Sequence, residues 1–193
     1  MSKFLIAGLG NMGSEYAHTR HNIGFDIVTA FVLKHDGIFR TARLAEVSEV
    51  KWKGKIFICI KPNTYVNLSG KAIKYWLDHE KIPIENSLTI VDDLALPLEK
   101  LRLRKSGSSA GHNGLQDIQE ILGTDGYPKL RFGIGNNYPK GMQVEFVLSH
   151  WHAEEIPVVK LKIEKCVEII ESIATIGIDK TMSLVNNLSF NPI

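Results

Sequence analysis

Apolar and polar positions along the chain switch repeatedly between short strand-like runs and longer helical stripes. Residues 3–8 (KFLIAG) form a short apolar run that reads as a buried strand. Residues 22–35 (NIGFDIVTAFVLKH) carry helical spacing and stop before Asp36-Gly37. Two strand-like segments follow at 42–51 and 55–60, with Lys53-Gly54 as a hairpin turn between them. Pro62 interrupts, and a helix is predicted over 69–80, with Ile73, Trp76 and Leu77 on one face. Residues 87–91 read as another buried strand. Residues 99–105 alternate, with Leu101 and Leu103 on one face and Lys100, Arg102 and Arg104 on the other. A short helix at 115–122, strands at 129–135 and 143–148, a long helix at about 154–174 and a short one at 179–186 complete an α/β pattern.

This alternation bears on function. Asn11, Asn63 and Asp92 each fall just beyond the carboxyl end of a strand that reads as buried. In open α/β sheets that edge is where ligands bind. Polar side chains from several strand ends are therefore expected to converge on one crevice.

Composition narrows the setting. With 193 residues and no repeat, low-complexity tract or linker, the chain reads as one domain, 1–193, able to bury a core. Its 44% hydrophobic and 23% charged content is that of a soluble globular protein. No apolar run approaches the roughly 18 residues of a membrane span, and the short run after Met1-Ser2-Lys3 does not read as a secretory signal. Cys59 and Cys166 sit far apart in apolar surroundings and read as reduced packing residues, which predicts a cytoplasmic protein. A net charge of +2 announces no nucleic-acid partner. The distribution says more: Lys100, Arg102, Arg104 and Lys105 cluster, and Lys129, Arg131 and Lys140 follow.

Three motifs invite specific chemistry. Gly8-Leu9-Gly10-Asn11-Met12-Gly13 is a literal G-x-G-x-x-G after a strand. However, the polar stretch 14–22 stands where the dinucleotide helix should begin, and neither Asp26 nor Asp36 closes a second strand. Gly107-Ser108-Ser109-Ala110-Gly111 matches G-x-S-x-G and leaves Ser109 as a rival nucleophile, with Asp125 and His150 or His152 downstream. Against it, the preceding strand is half charged and no HGGG-type oxyanion segment appears. His18-x-x-His21 and His150-x-His152 could each offer two nitrogens to zinc, but no further ligand motif accompanies either pair.

The residues that remain point to water activation. His21 lies in a polar loop near the first strand end, and Asp92 lies at a neighbouring strand end. A carboxylate accepting from one ring nitrogen fixes the tautomer and leaves the other nitrogen to take a proton from water. Asn11, Asn67 and Asn113 could orient that water or stabilise an oxyanion. Each also has a structural alternative: Asn11 as a turn residue, Asn67 as a cap near Ser69, and Asn113 as the cap of the 115–122 helix.

Five ordered blocks carry a family resemblance. GLGNMGSEYAHTRHNIGFDIV, KPNTYVNLSGKAI, VDDLALPLEKLRLR, GSSAGHNGLQDI and LRFGIG together resemble the bacterial-type peptidyl-tRNA hydrolases. The resemblance implies hydrolysis of the ester between a peptide and the 3′-terminal ribose of tRNA. It implies His21 as the base, Asp92 as the residue that orients it, and Asn11 near the water and the scissile ester. Tyr16, Tyr65, Val66, Asn67, His112 and Asn113 fall to substrate binding. Arg104 and Arg131 fall to a terminal phosphate, with Lys105, Lys140 and Arg102 as further cations. A monomer without metal or other cofactor is implied, built on a mixed, twisted sheet with helices on both faces and touching only the 3′ CCA end and acceptor stem. The departures are Met12 for the usual Pro, Val91 for His, Ala95 for Asp, Val66 for Met, and Ser109-Ala110 for Gly-Gly, with Asp93 read as structural. A serine esterase using Ser109 and an RNA-binding protein without catalysis are the rival readings.

Overall fold

The apolar run near the amino end forms the central strand, β1 (Ser2–Gly8), which has parallel neighbours on both sides. The computed structural model describes residues 1–191, so the last two residues of the predicted 1–193 domain lie outside the described ones. The other strands are β2 (Arg40–Ala42), β3 (Ala45–Trp52), β4 (Lys55–Pro62), β5 (Ser87–Asp93), β6 (Leu101–Arg104) and β7 (Lys129–Gly133). They join β1 in one mixed sheet of seven strands among the described residues, in the order β2-β3-β4-β1-β5-β7-β6. The β4-β1-β5-β7 core is parallel, and β3, β2 and β6 add antiparallel edges.

The helices are α1 (Ile23–Lys34), α2 (Gly70–Glu80), α3 (Asn113–Leu122), α4 (Gln143–Val147), α5 (Ile156–Ile176) and α6 (Ile178–Val185). Strand alternation divides the core between the two faces of the sheet. Ile6, Phe57, Cys59 and Ile90 pack with Ile27 and Phe31 of α1 and Cys166 and Ile170 of α5. Leu5, Ala7, Ile58 and Ile60 pack with Ile73, Trp76 and Leu77 of α2 and Leu115 and Ile118 of α3. A parallel strand buried on both faces must be apolar throughout, which is why these strands read as continuous runs.

Two elements differ from expectation. Residues 42–51 are not one strand: a turn at Arg43-Leu44 separates β2 from β3, with Leu44 at a φ of 62°. Residues 143–147 form the short helix α4 rather than part of a strand over 143–148, although Val144, Phe146 and Leu148 alternate. The Lys53-Gly54 hairpin is as expected, and both residues take positive φ (47° and 71°), the type I′ signature that suits the twist of a β-hairpin.

The glycines around the first strand end allow close packing. A Cβ on Gly8 would stand 2.1 Å from Gly24 O, and one on Gly24 would stand 2.5 Å from Leu9 N and Ile90 O. The first turn of α1 therefore rests directly on the backbone after β1 and beside β5. The polar residues before α1 are carried to the carboxyl ends of both strands.

Candidate active site

His21 sits in a single 3-10 turn, Arg20–Asn22, whose flanking residues hold it from both sides. Asn22 Oδ1 accepts from Asn11 N, and Asn22 Nδ2 donates to Asn11 O, each at 2.9 Å. Arg20 is fully buried. It donates to Ser149 Oγ, His150 O and Glu155 Oε1 and lies over the rings of Phe146 and Trp151, at 4.4 and 5.2 Å from their centroids. In the sequence Arg20 and Asn22 stand out only as part of a motif. Their polarity beside a strand end was the available signal that they brace the loop.

Asp92 is the penultimate residue of β5 rather than a loop residue beyond it. Its two carboxylate oxygens both lie 2.9 Å from His21 Nδ1, so Nδ1 carries the proton and Nε2 keeps the lone pair. His112 Nε2 approaches the same carboxylate at 3.1 Å. The other nitrogen of His112 accepts from Gly114 N and Leu115 N at the start of α3. A ring nitrogen that accepts two amides bears no proton, so the network assigns the Nε2–H tautomer, which donates to Asp92. Thus His112, not Asn113, caps α3, and Asn113 is the first helical residue.

The electrostatics follow from this pairing. Burial works against the Asp92 carboxylate. The charge of His21 and the hydrogen bonds from His112 and His21 outweigh it and hold Asp92 well below the usual carboxylate range. Burial likewise depresses His21, but the Asp92 charge and hydrogen bond reverse the sign and raise it above the ordinary value of 6.5. Ligand-type atoms of His21, Asp92 and His112 lie within 4.8 Å of one another, a spacing open to a metal. In the assigned tautomer, however, His112 turns a proton rather than a lone pair toward the centre.

These residues line a cleft of about 700 Å³. Asn11, Tyr65, Val66, Asn67, Asn113 and Arg131 join His21, Asp92 and His112 there. Asn11 Oδ1 accepts from Val66 N at 2.8 Å, which pins the loop after β1 to the turn Val66–Leu68, and Nδ2 has no partner among the described residues. Tyr16 is not in the cleft lining; its ring stands edge-on to Tyr65, with centroids 6.5 Å apart. Leu94, Asn136, Tyr138 and Gln143 also line the cleft. Leu94, Asn136 and Tyr138 come from connections whose course the sequence pattern did not indicate, and Gln143 opens α4, where a strand was expected.

The other candidates separate. Asn63 does not join the crevice: its amide is held by Leu44 O, and its side chain lines a neighbouring cavity of about 350 Å³ with Met12 and Lys61. Arg104, Lys105 and Lys140 stand outside the cleft lining, and Lys105 pairs with Asp179 at 2.8 Å. Arg131 donates to Ser108 O and lies 3.7 Å from Asp93, which also accepts from Ala95 N. Ser109 donates to Gln116 Oε1 at 3.0 Å rather than to a histidine, so the elbow reading fails. The histidine pairs diverge as well: His18 meets Asp26, and His150 Nε2 meets Ala17 O.

Comparison with known proteins shows the family. A family model described as peptidyl-tRNA hydrolase matches residues 5–192. Peptidyl-tRNA hydrolases of Phocaeicola vulgatus and Parabacteroides distasonis are 47% and 48% identical over 184 and 185 residues. Those alignments cover 95% and 96% of this chain and 98% and 99% of the relatives. The crystal structure of peptidyl-tRNA hydrolase from Acinetobacter baumannii matches with a TM-score of 0.91 at 28% identity, covering 97% of this chain and 96% of that one. With the match spanning every residue of the cleft, the chain belongs to the peptidyl-tRNA hydrolase family.

Proposed function

We propose that the protein hydrolyses the ester between a peptide and the 3′-terminal ribose of peptidyl-tRNA, with His21 activating the water. Family membership supports the reaction. The observation that carries the mechanism is the His21–Asp92 pair at 2.9 Å, which fixes the tautomer with its base nitrogen free. His21 Nε2 takes a proton from water as the oxygen attacks the ester carbonyl. The Asp92 charge stabilises the imidazolium that forms. His21 then returns the proton to the departing ribose oxygen, so the peptide leaves with the water oxygen and the tRNA as a free hydroxyl. Asn11 Nδ2 and the Asn113 amide are the donors for the developing oxyanion. Tyr16, Tyr65, Val66, Asn67 and His112 shape the binding of the peptide and terminal adenosine.

Contact with the tRNA falls to Arg131 at the cleft and to Arg104, Lys105 and Lys140 outside it, on the CCA end and acceptor stem. The protein acts as a metal-free monomer in the cytoplasm, with residues 1–193 as one functional unit. No helix among the described residues is long and apolar enough to cross a membrane.

The test is release of free tRNA from an N-blocked aminoacyl-tRNA. His21→Ala should lower kcat by at least about 10²–10⁴-fold, the contribution of a positioned base. A wild-type rate in His21→Ala, or no cleavage by the unaltered enzyme, would refute the proposal.

A further inference from the structure

The amino end of α2 is capped from another helix. Its flanking residue Ser69 turns its hydroxyl back to donate to Val66 O at 2.7 Å, and the first turn of α2 holds no acidic side chain. A helix start leaves unpaired N–H groups and a partial positive charge. Asp117 of α3 meets both: its Oδ2 accepts from Gly70 N at 2.7 Å. The approach needs glycine, since a Cβ on Gly70 would stand 2.8 Å from both Asp117 Oδ2 and Asp117 O.

The residues just before Gly70 form the turn that carries Val66 and Asn67 into the cleft wall. One helical turn before Asp117, Asn113 faces the same cleft from α3. The cap of α3, His112, is bonded to Asp92. A single short helix therefore carries three tethers, to the catalytic pair, to the cleft and to the opposite wall.

We propose that Asp117 is a positioning residue for substrate binding: by holding the start of α2 against α3, it sets the spacing between Asn67 and Asn113 across which the peptide ester lies. The inference rests on the reading of Asn67 as a substrate-holding amide. Asp117 is absent from the cleft lining, so its loss loosens binding and leaves the proton-transfer groups in place.

Steady-state kinetics with an N-blocked aminoacyl-tRNA test it on the full chain. Asp117→Ala should raise KM by roughly tenfold, with kcat changed by no more than about twofold. Asp117→Asn, which keeps an acceptor oxygen, should recover most of that loss. Gly70→Ala should raise KM similarly, and the two effects should not add in the double variant. A wild-type KM in Asp117→Ala while Asn67→Ala raises KM would overturn the proposal and leave the site reading intact. An unchanged KM in Asn67→Ala would remove the reading beneath it, and the proposal with it. A fall in kcat at constant KM, with Asn no better than Ala, would mark a merely structural role and overturn the proposal. Where Asp117→Ala fails to fold, the Asp117→Asn and Gly70→Ala kinetics decide.

Discussion

In the proposed mechanism the protonation of one imidazole governs the chemistry, and its neighbours set the pH at which it is ready. His21 must be neutral to accept a proton, and its pKa is raised above 6.5 by the charge and hydrogen bond of Asp92 against the opposing effect of burial. Activity should therefore fall on the acid side with a midpoint above the ordinary histidine value, seen in kcat/KM against pH. Asp92→Asn removes the raising charge and leaves the burial, so the acid limb should move to lower pH while kcat drops. An acid limb that stays in place would dissociate Asp92 from the titration. Ala110 offers a second prediction at this scale. It sits in the cleft lining at a φ of 50°, in the left-handed region where the resemblance expects glycine. The strain there is about 1–2 kcal/mol, and glycine's extra unfolded entropy returns about 0.4–1 kcal/mol. Ala110→Gly should thus stabilise the fold by roughly 0.5–1 kcal/mol in urea unfolding. Single residues were legible in chemistry but not in role. The sequence HN at 112–113 offers two capping side chains, and the backbone direction into α3 decides that His112 caps while Asn113 faces the cleft.

Elements were legible where the apolar period was sustained. α1, α2 and α5 and the parallel strands each show several consecutive positions of one period, so their burial was readable. α4 was not: five residues are too few to separate a period of 2 from one of 3.6. It packs against Arg20, whose guanidinium lies over the Phe146 ring. That contact joins residues far apart in the chain, and it holds α4 as a cleft wall beside the turn that bears His21. Glu155 completes the arrangement, accepting from both Arg20 Nη2 and His152 N. Glu155→Ala leaves the buried Arg20 charge without its carboxylate and should cost about 3 kcal/mol, measured as a lower urea midpoint. A loss under about 0.5 kcal/mol would show that the carbonyl and hydroxyl partners of Arg20 suffice.

At the scale of the whole molecule, a buried cation links the core to the region of the site. Lys162 of α5 is inaccessible to solvent, donates to Leu98 O and Gly133 O, and lies over the Phe132 ring. Burial pushes its pKa down to about 7, against the raising influence of Cys166 and Glu99. Between about 7 and the unfolded value near 10.5, the unfolded chain holds a proton that the folded chain has released, so stability rises with pH in that window. Relative to Lys162→Met, the wild type should gain up to about 1.4 kcal/mol per pH unit between about pH 7.5 and about pH 9 in denaturant titrations. Association with tRNA also belongs to this scale. Each phosphate contact contributes about 0.7–0.9 to the slope of log affinity against log salt, so Arg104→Gln should reduce the slope by about that amount. An unchanged slope would remove Arg104 from the phosphate contacts. The sequence by itself determined the α/β pattern, the hairpin turn, the apolar faces and, through its ordered motifs, the family, and it singled out His21, Asp92, Asn11, Asn67 and Asn113, which line one cleft. These follow from local periodicity and from residue chemistry, both written in consecutive positions. Only the tertiary structure decided that Asn63 faces another cavity, that His112 bridges Asp92 and α3, and that Arg20 and Asp117 brace the two walls. The His112–Asp92, Asp117–Gly70 and Arg20–Glu155 contacts span 20, 47 and 135 positions of chain, set by how the sheet orders its strands and by where glycine permits backbones to touch.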